Sequence, residues 1–181
     1  MSIQEKNKFI HLRNYTQFSL SKGALRISDL VDYCKKYSSP AIAISDFNNL
    51  FGSMEFSLGC IKNGIQPIIS CNIKVNENEF NNFYILLIAS SRVGYENLSK
   101  LVTSSYISNK KLLSPEIKLE SLKRYNEGII CLSGGNDGLF SKNLSIFGKD
   151  RTTNIFDRLI GIFNERMYIE IQRDNFLDND K

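Results

Sequence analysis

The sequence predicts an α/β fold with a mainly parallel sheet. Short apolar runs of strand length alternate with longer segments whose apolar residues recur at helical spacing. Proline and glycine punctuate those segments where one element must hand over to the next. No internal repeat or low-complexity tract interrupts the alternation. Such an order places helices over a layered sheet. Periodicity alone leaves open whether that sheet is open or closed into a barrel.

Phe9-Ile10-His11-Leu12 reads as a first strand. Ser28 is the expected N-cap of a helix in which Leu30, Val31, Cys34 and Tyr37 recur on one side. Pro40 ends that turn, and Ala41-Ile42-Ala43-Ile44 is a buried strand. Residues 52–62 form a helix whose apolar face carries Met54, Leu58 and Ile61, with Gly64 as its stop. Residues 67–75 and 83–89 are strands joined by the polar, hairpin-like stretch 76–82. Residues 91–105 are helical, with Tyr95, Leu98, Leu101 and Val102 inward. A loop over 109–115 leads to a short helix over 119–125 and a strand over 128–132. Two helices, 139–147 and 152–164, precede a last strand over 167–171.

A chain of 181 residues is long enough for one domain with its own core. Its 42% hydrophobic and 23% charged content is that of an ordinary globular protein. The net charge of +4 permits an acidic partner without demanding one. Cys34, Cys60, Cys71 and Cys131 form no C-x-x-C pair and sit in apolar stretches, as small buried hydrophobes of a reducing compartment do. Met1 to Lys8 is polar and gives no secretory leader, and the longest apolar runs are too short to span a bilayer. A cytoplasmic location without membrane contact is the expectation.

Two segments carry the strongest functional signal. They are His11-Leu12-Arg13-Asn14-Tyr15-Thr16-Gln17-Phe18-Ser19 and Ser45-Asp46-Phe47-Asn48-Asn49-Leu50-Phe51-Gly52. Together they resemble the opening of the PHP (polymerase and histidinol phosphatase) domain at the N-terminus of bacterial DNA polymerase III alpha subunits. Active members read approximately H-L-H-x-H-S/T-x-Y/F-S and S/T-D-H-x-N-x-F/C-G there. The family's metal ligands in these motifs fall on Arg13, Tyr15, Asp46 and Phe47, so that one ligand of four survives.

The resemblance continues along the chain. Gly64-Ile65-Gln66-Pro67-Ile68-Ile69-Ser70-Cys71 is similar to G-I-x-P-I-x-G-x, with Asn72 where a glutamate ligand is common. Tyr84-Ile85-Leu86-Leu87-Ile88-Ala89 resembles H-L-x-L-L-A, with Tyr84 in place of a ligand histidine. Gly94-Tyr95-Glu96-Asn97-Leu98 is similar to the family's G-Y-x-N-L. Glu127-Gly128-Ile129-Ile130-Cys131-Leu132-Ser133-Gly134-Gly135 resembles E-G-L-I-x-L-S-G-C, with Gly135 for a cysteine ligand. Tyr168-Ile169-Glu170-Ile171-Gln172 resembles Y-L-E-I-Q, and Asp174 stands where a histidine often follows.

This resemblance implies a distorted (β/α)7 barrel, incomplete in residues 1–181, which would form the N-terminal part of the domain. Polymerase palm, fingers and later domains would lie outside this chain, together with the Mg2+ of the polymerase site. It further implies a degenerate, non-catalytic PHP domain that binds no cofactor of its own. Its partners would be the epsilon proofreading exonuclease, the remaining polymerase III holoenzyme subunits and, through the full-length subunit, DNA. The chemistry of the replacements agrees. Arg13 brings a permanent charge where a cation would sit, Phe47 has no lone pair, and Gly135 has no side chain. An Arg13–Asp46 ion pair is the expected substitute for the metal. The competing readings are an active metal-dependent PHP phosphoesterase or exonuclease, which the ligand count opposes, and a DNA-binding module.

Other residues invite simpler explanations. His11, the one histidine, reads as a structural, hydrogen-bonded residue. Asp46 ends a strand and reads as structural or capping. Ser133-Gly134-Gly135-Asn136 follows a strand as phosphate loops do, but lacks a P-loop lysine and reads as a tight turn. Lys35-Lys36, Lys110-Lys111 and Lys123-Arg124 are solvated pairs rather than a stripe. Phe18, Phe47, Phe51 and Phe56 give no nucleic-acid stacking signature.

Overall fold

The computed structural model describes residues 9–77, 82–107 and 115–172. The loop expected over 109–115 falls almost wholly outside the described residues, as does Asp174. Five strands form one sheet in the order β1-β2-β3-β4-β5. They are β1 (Ala41–Phe47), β2 (Gln66–Val75), β3 (Phe83–Ala89), β4 (Ile129–Leu132) and β5 (Met167–Tyr168). The helices are α1 (Ile27–Tyr37), α2 (Ser53–Lys62), α3 (Arg92–Ile107), α4 (Leu119–Arg124) and α5 (Leu139–Phe163).

The sheet is mixed rather than mainly parallel. β1/β2 and β4/β5 pair in parallel, whereas β2/β3 and β3/β4 pair antiparallel. The connections explain both reversals. Only residues 76–82 separate β2 from β3, too few for the crossover that a parallel pair needs. After β3 the chain crosses the sheet twice. α3 carries it to the C-terminal end of β2, where Ile117 bridges Val75, and α4 returns it to Gly128, whose carbonyl accepts from Ser90 N. β4 therefore starts where β3 ended.

Local chemistry shifts several expected boundaries. α1 begins at Ile27 with Arg26 in the N-cap position, so Ser28 lies inside the first turn and caps nothing. Residues 9–12 are not a ladder strand, yet the segment runs beside β1: Ala43 N donates to His11 O and Ser45 N to Asn14 O. β5 spans two residues instead of the five expected. The two expected late helices form one run broken at Gly148, whose φ of 76° is open to glycine and costly for other residues.

Alternation along the strands puts successive side chains on opposite faces. The outer face packs against the helices in two clusters. Ile27, Leu30, Val31 and Cys34 of α1 meet Ile42 and Ile44 of β1 and Phe56 and Cys60 of α2. A larger cluster joins Cys71, Ile73, Ile85 and Leu87 of the sheet to Leu98 and Leu101 of α3 and to Ile155, Leu159 and Phe163 of α5. Leu98 and Leu101 thus point inward as expected, while Tyr95 is 41% exposed. The expected apolar face of α2 points to solvent instead, because Phe56 and Cys60 take the contact with the sheet. The four cysteines are buried and unbridged.

Candidate functional site

The opposite face of the sheet carries Phe47 of β1, Asn72 of β2 and Tyr84 of β3 beside the 13–15 segment and the 133–138 turn. Arg13 is the hub. Its Nε and Nη2 donate to Glu170 Oε1 and Oε2 at 2.6 and 2.5 Å, the fork-to-fork geometry that suits guanidinium and carboxylate. Nη1 donates to Tyr15 Oη and to Asn72 Oδ1, each at 2.7 Å. Asn72 Nδ2 in turn donates to Ser45 O at 2.6 Å. Burial works against the Arg13 charge, but the bonds to Glu170 and Tyr15 outweigh it and hold its pKa above the usual guanidinium value.

The network continues to the turn after β4. Gln172 Nε2 donates to Glu170 Oε1 at 2.8 Å, and Asn136 N donates to Gln172 Oε1 at 3.2 Å. A Cβ added at Gly135 would land on the Gln172 amide. Gln172 therefore fills the space that a side chain at 135 would need. Gly138 N donates to Gly135 O at 2.8 Å, so residues 134–138 form a tight turn leading into α5.

Aromatic rings line the rest of the cleft. Tyr15 and Phe47 have centroids 4.8 Å apart, and Tyr84 meets Phe47 edge-on at 5.0 Å. Burial pushes the Tyr84 hydroxyl above the usual phenol range, against an opposing hydrogen bond from Asn48. Lys22 Nζ lies 3.8 Å from the Phe47 centroid and 4.8 Å from that of Tyr84, a cation–π cap on the cluster. The space left among Arg13, Tyr15, Phe47, Tyr84 and the 134–138 turn is a cleft of about 60 Å³.

Asp46 does not pair with Arg13. By alternation it points to the other face from Phe47. There it accepts from Thr16 N and Thr16 Oγ1 at 2.7 Å each and from Ser19 Oγ at 2.5 Å. It anchors the 16–23 loop, which places Lys22. The expected Arg13–Asp46 bridge is corrected accordingly: Glu170 supplies the carboxylate, and Asp46 already has three donors. His11 has a structural environment, edge-on to Phe9 and Tyr33 with the Tyr33 hydroxyl 3.4 Å from Nε2.

Five of the eight expected positions line the cleft, Arg13, Tyr15, Phe47, Tyr84 and Gly135, and a sixth, the buried Asn72, joins it through its bond from Arg13. Asp46 stands behind it, and Asp174 lies outside the described residues. Glu170, Gln172 and Lys22 were not expected there. Glu170 and Gln172 belong to the Tyr168–Gln172 motif and share one face of an extended segment, which was the available signal. Lys22 had none, because a loop positions it.

These residues do not fit a divalent cation. The strongest cleft carboxylate, Glu170, is saturated by Arg13 and Gln172. Lining the cleft are a guanidinium and three aromatic rings, which offer a cation no carboxylate, imidazole or thiolate. Among the described residues no group of three or more His, Cys, Asp or Glu side chains converges. Nor is any described helix long and apolar enough to cross a membrane.

DNA polymerase III subunit alpha of Rickettsia prowazekii is 36% identical over 179 residues, covering 95% of this chain and 15% of that protein. The subunit of the same name from Aquifex aeolicus is 34% identical over 182 residues, covering 92% of this chain and 16% of its own length. The chain therefore spans about 15% of the length of the curated relatives it matches. A provisionally named metal-dependent phosphoesterase from Bifidobacterium adolescentis has the same fold, with a TM-score of 0.58 at 10% identity over 89% of this chain and 76% of that one. Residues 11–174 match the family model described as PHP domain, and the chain belongs to that family.

Proposed function

We propose that this chain is the N-terminal PHP domain of a replicative DNA polymerase III alpha subunit. In this reading it is a non-catalytic scaffold on which the proofreading exonuclease docks. The family match and the two relatives support the first part. The observation that carries the second is Arg13: a fixed positive charge, neutralised by Glu170, stands at the centre of the cleft. Metal-dependent phosphoesterases polarise a phosphoryl oxygen and activate a water with bound cations. Arg13 is committed to three side chains and offers no site for that water. Asn72 and Gln172 spend their amides inside the same network.

An emptied hydrolytic site leaves proofreading to a separate exonuclease subunit. DNA synthesis, with its Mg2+, would belong to polymerase domains elsewhere in the full-length protein. The remaining holoenzyme subunits and DNA would be reached through those domains. A cytoplasmic location follows from the same role.

Titration calorimetry of this chain against the cognate epsilon exonuclease, with and without EDTA, tests the proposal. Saturable binding indifferent to EDTA is expected. Absence of binding, together with bound zinc or manganese and EDTA-sensitive phosphoester hydrolysis, would replace it with an active PHP phosphoesterase.

A further inference from the structure

Helix α2 is apolar on two sides. Phe56 and Cys60 face the sheet and are fully buried. Phe51 just before the helix, with Met54, Leu58 and Ile61 on it, makes a second stripe at 72%, 73%, 62% and 66% exposure. Their spacing of three, four and three residues is that of a seam that packs against another helix. A helix apolar on both faces is normally covered on both. One flank of the stripe is open as well. β2 and β3 are consecutive and antiparallel, and no described helix covers the sheet between α2 and α3. A groove of about 490 Å³ remains there, with Pro67, Ile69 and Ala89 as its floor and Met54, Ser57 and Tyr95 as its walls.

The other flank is charged in a directional way. Glu55 lies in the first turn of α2 and Lys62 in the last. Seven residues apart, they share one edge of the stripe. A partner helix that complements this edge must be basic opposite Glu55 and acidic opposite Lys62. An antiparallel helix meets that demand most readily, since bases favour its C-terminal turn and acids its N-terminal turn. A second α2 has that arrangement. About a two-fold axis, Glu55 of each copy faces Lys62 of the other while the apolar stripes meet.

We infer that α2 is a homodimerisation surface, pairing antiparallel with α2 of a second copy of this chain. The inference is independent of the function proposed above. Sedimentation velocity of the 181-residue chain from about 1 to about 100 µM reads it directly. A concentration-dependent dimer is expected. Leu58→Glu, at an exposed position, should leave the circular dichroism spectrum and melting profile intact and abolish the dimer. Glu55→Lys and Lys62→Glu should each weaken self-association. An equimolar mixture of those two variants restores both pairings, and its dimer should be at least about tenfold tighter than either alone. A monomer at every concentration overturns the inference and assigns the stripe to a different partner. So does a dimer that survives Leu58→Glu, or a mixture no tighter than its components.

Discussion

Arg13 holds Glu170 through two parallel hydrogen bonds although 157 residues separate them in sequence. The first sits beside β1 at one edge of the sheet and the second just past β5 at the other. The ion pair therefore ties the two margins of the sheet across the face that carries Phe47, Asn72 and Tyr84.

Removing one member should cost more than the pair itself contributes. Arg13→Ala leaves a mostly buried Glu170 carboxylate without its main donor and Asn72 without one of its bonds. A loss of about 2–4 kcal/mol in urea unfolding is expected. Arg13→Lys should recover less than half of it, because a single ammonium cannot make the fork. A double-mutant cycle with Glu170→Gln should give a coupling above about 1 kcal/mol. Simple additivity would show that the two residues do not act together.

Gly135→Cys puts a thiol into the cleft but should not create metal binding. Its Cβ meets only the far end of the flexible Gln172 side chain, so the loss is that amide's bonds to Glu170 and Asn136 N, and stability should fall by about 0.5–1.5 kcal/mol. Gln172→Ala in the same chain should add little to that loss. Neither variant should retain zinc after dialysis. Zinc retained by the single substitution would mean that the Arg13 network yields easily to a cation.

Asp46 gathers Thr16 and Ser19 through three short bonds. Asp46→Asn keeps the shape but loses the charge that strengthens those bonds, for a cost of about 1–3 kcal/mol. Asp46→Ala should cost more and free the 16–23 loop. Limited proteolysis would then cut near Lys22, whereas Arg13→Ala should leave that loop protected.

The thiols impose an alkaline limit on stability. Burial pushes Cys60 up to about 11, and raises Cys34, Cys71 and Cys131 as well. The unfolded chain ionises its thiols near the ordinary value, so it gains protons' release that the folded state resists. Stability should be unaffected below pH 8, decline from about pH 9 and keep falling through about pH 11. Iodoacetamide at pH 8 should label the cysteines only after urea is added.

How far the sequence could be read is visible in particular residues. The order of helices and strands was legible because apolar spacing is local, and the cleft positions Arg13, Tyr15, Phe47, Asn72, Tyr84 and Gly135 followed from motifs with fixed spacing. The partner of Arg13 was not legible. Choosing Glu170 over Asp46 requires knowing that Asp46 takes the far face of β1 and that the segment after β5 comes round to Arg13. The mixed strand directions were hidden for the same reason: two crossings by α3 and α4 look, along the chain, like one. For α2, the apolar positions were correctly identified and their direction was not, since Phe56 and Cys60 compete for the sheet on the neighbouring side.

The groove beside α2 also bears on how the molecule opens. On its two sides lie the α1/α2 cluster and the α3/α4/α5 cluster, with Ile69 packed against both. Because the sheet alone carries most of the load between them, amide exchange should divide the protein into two foldons. Amides of α1 and β1 should open with one free energy and those of β3, α3 and α5 with another. Strand β2, laddered to both halves, should be among the last to exchange.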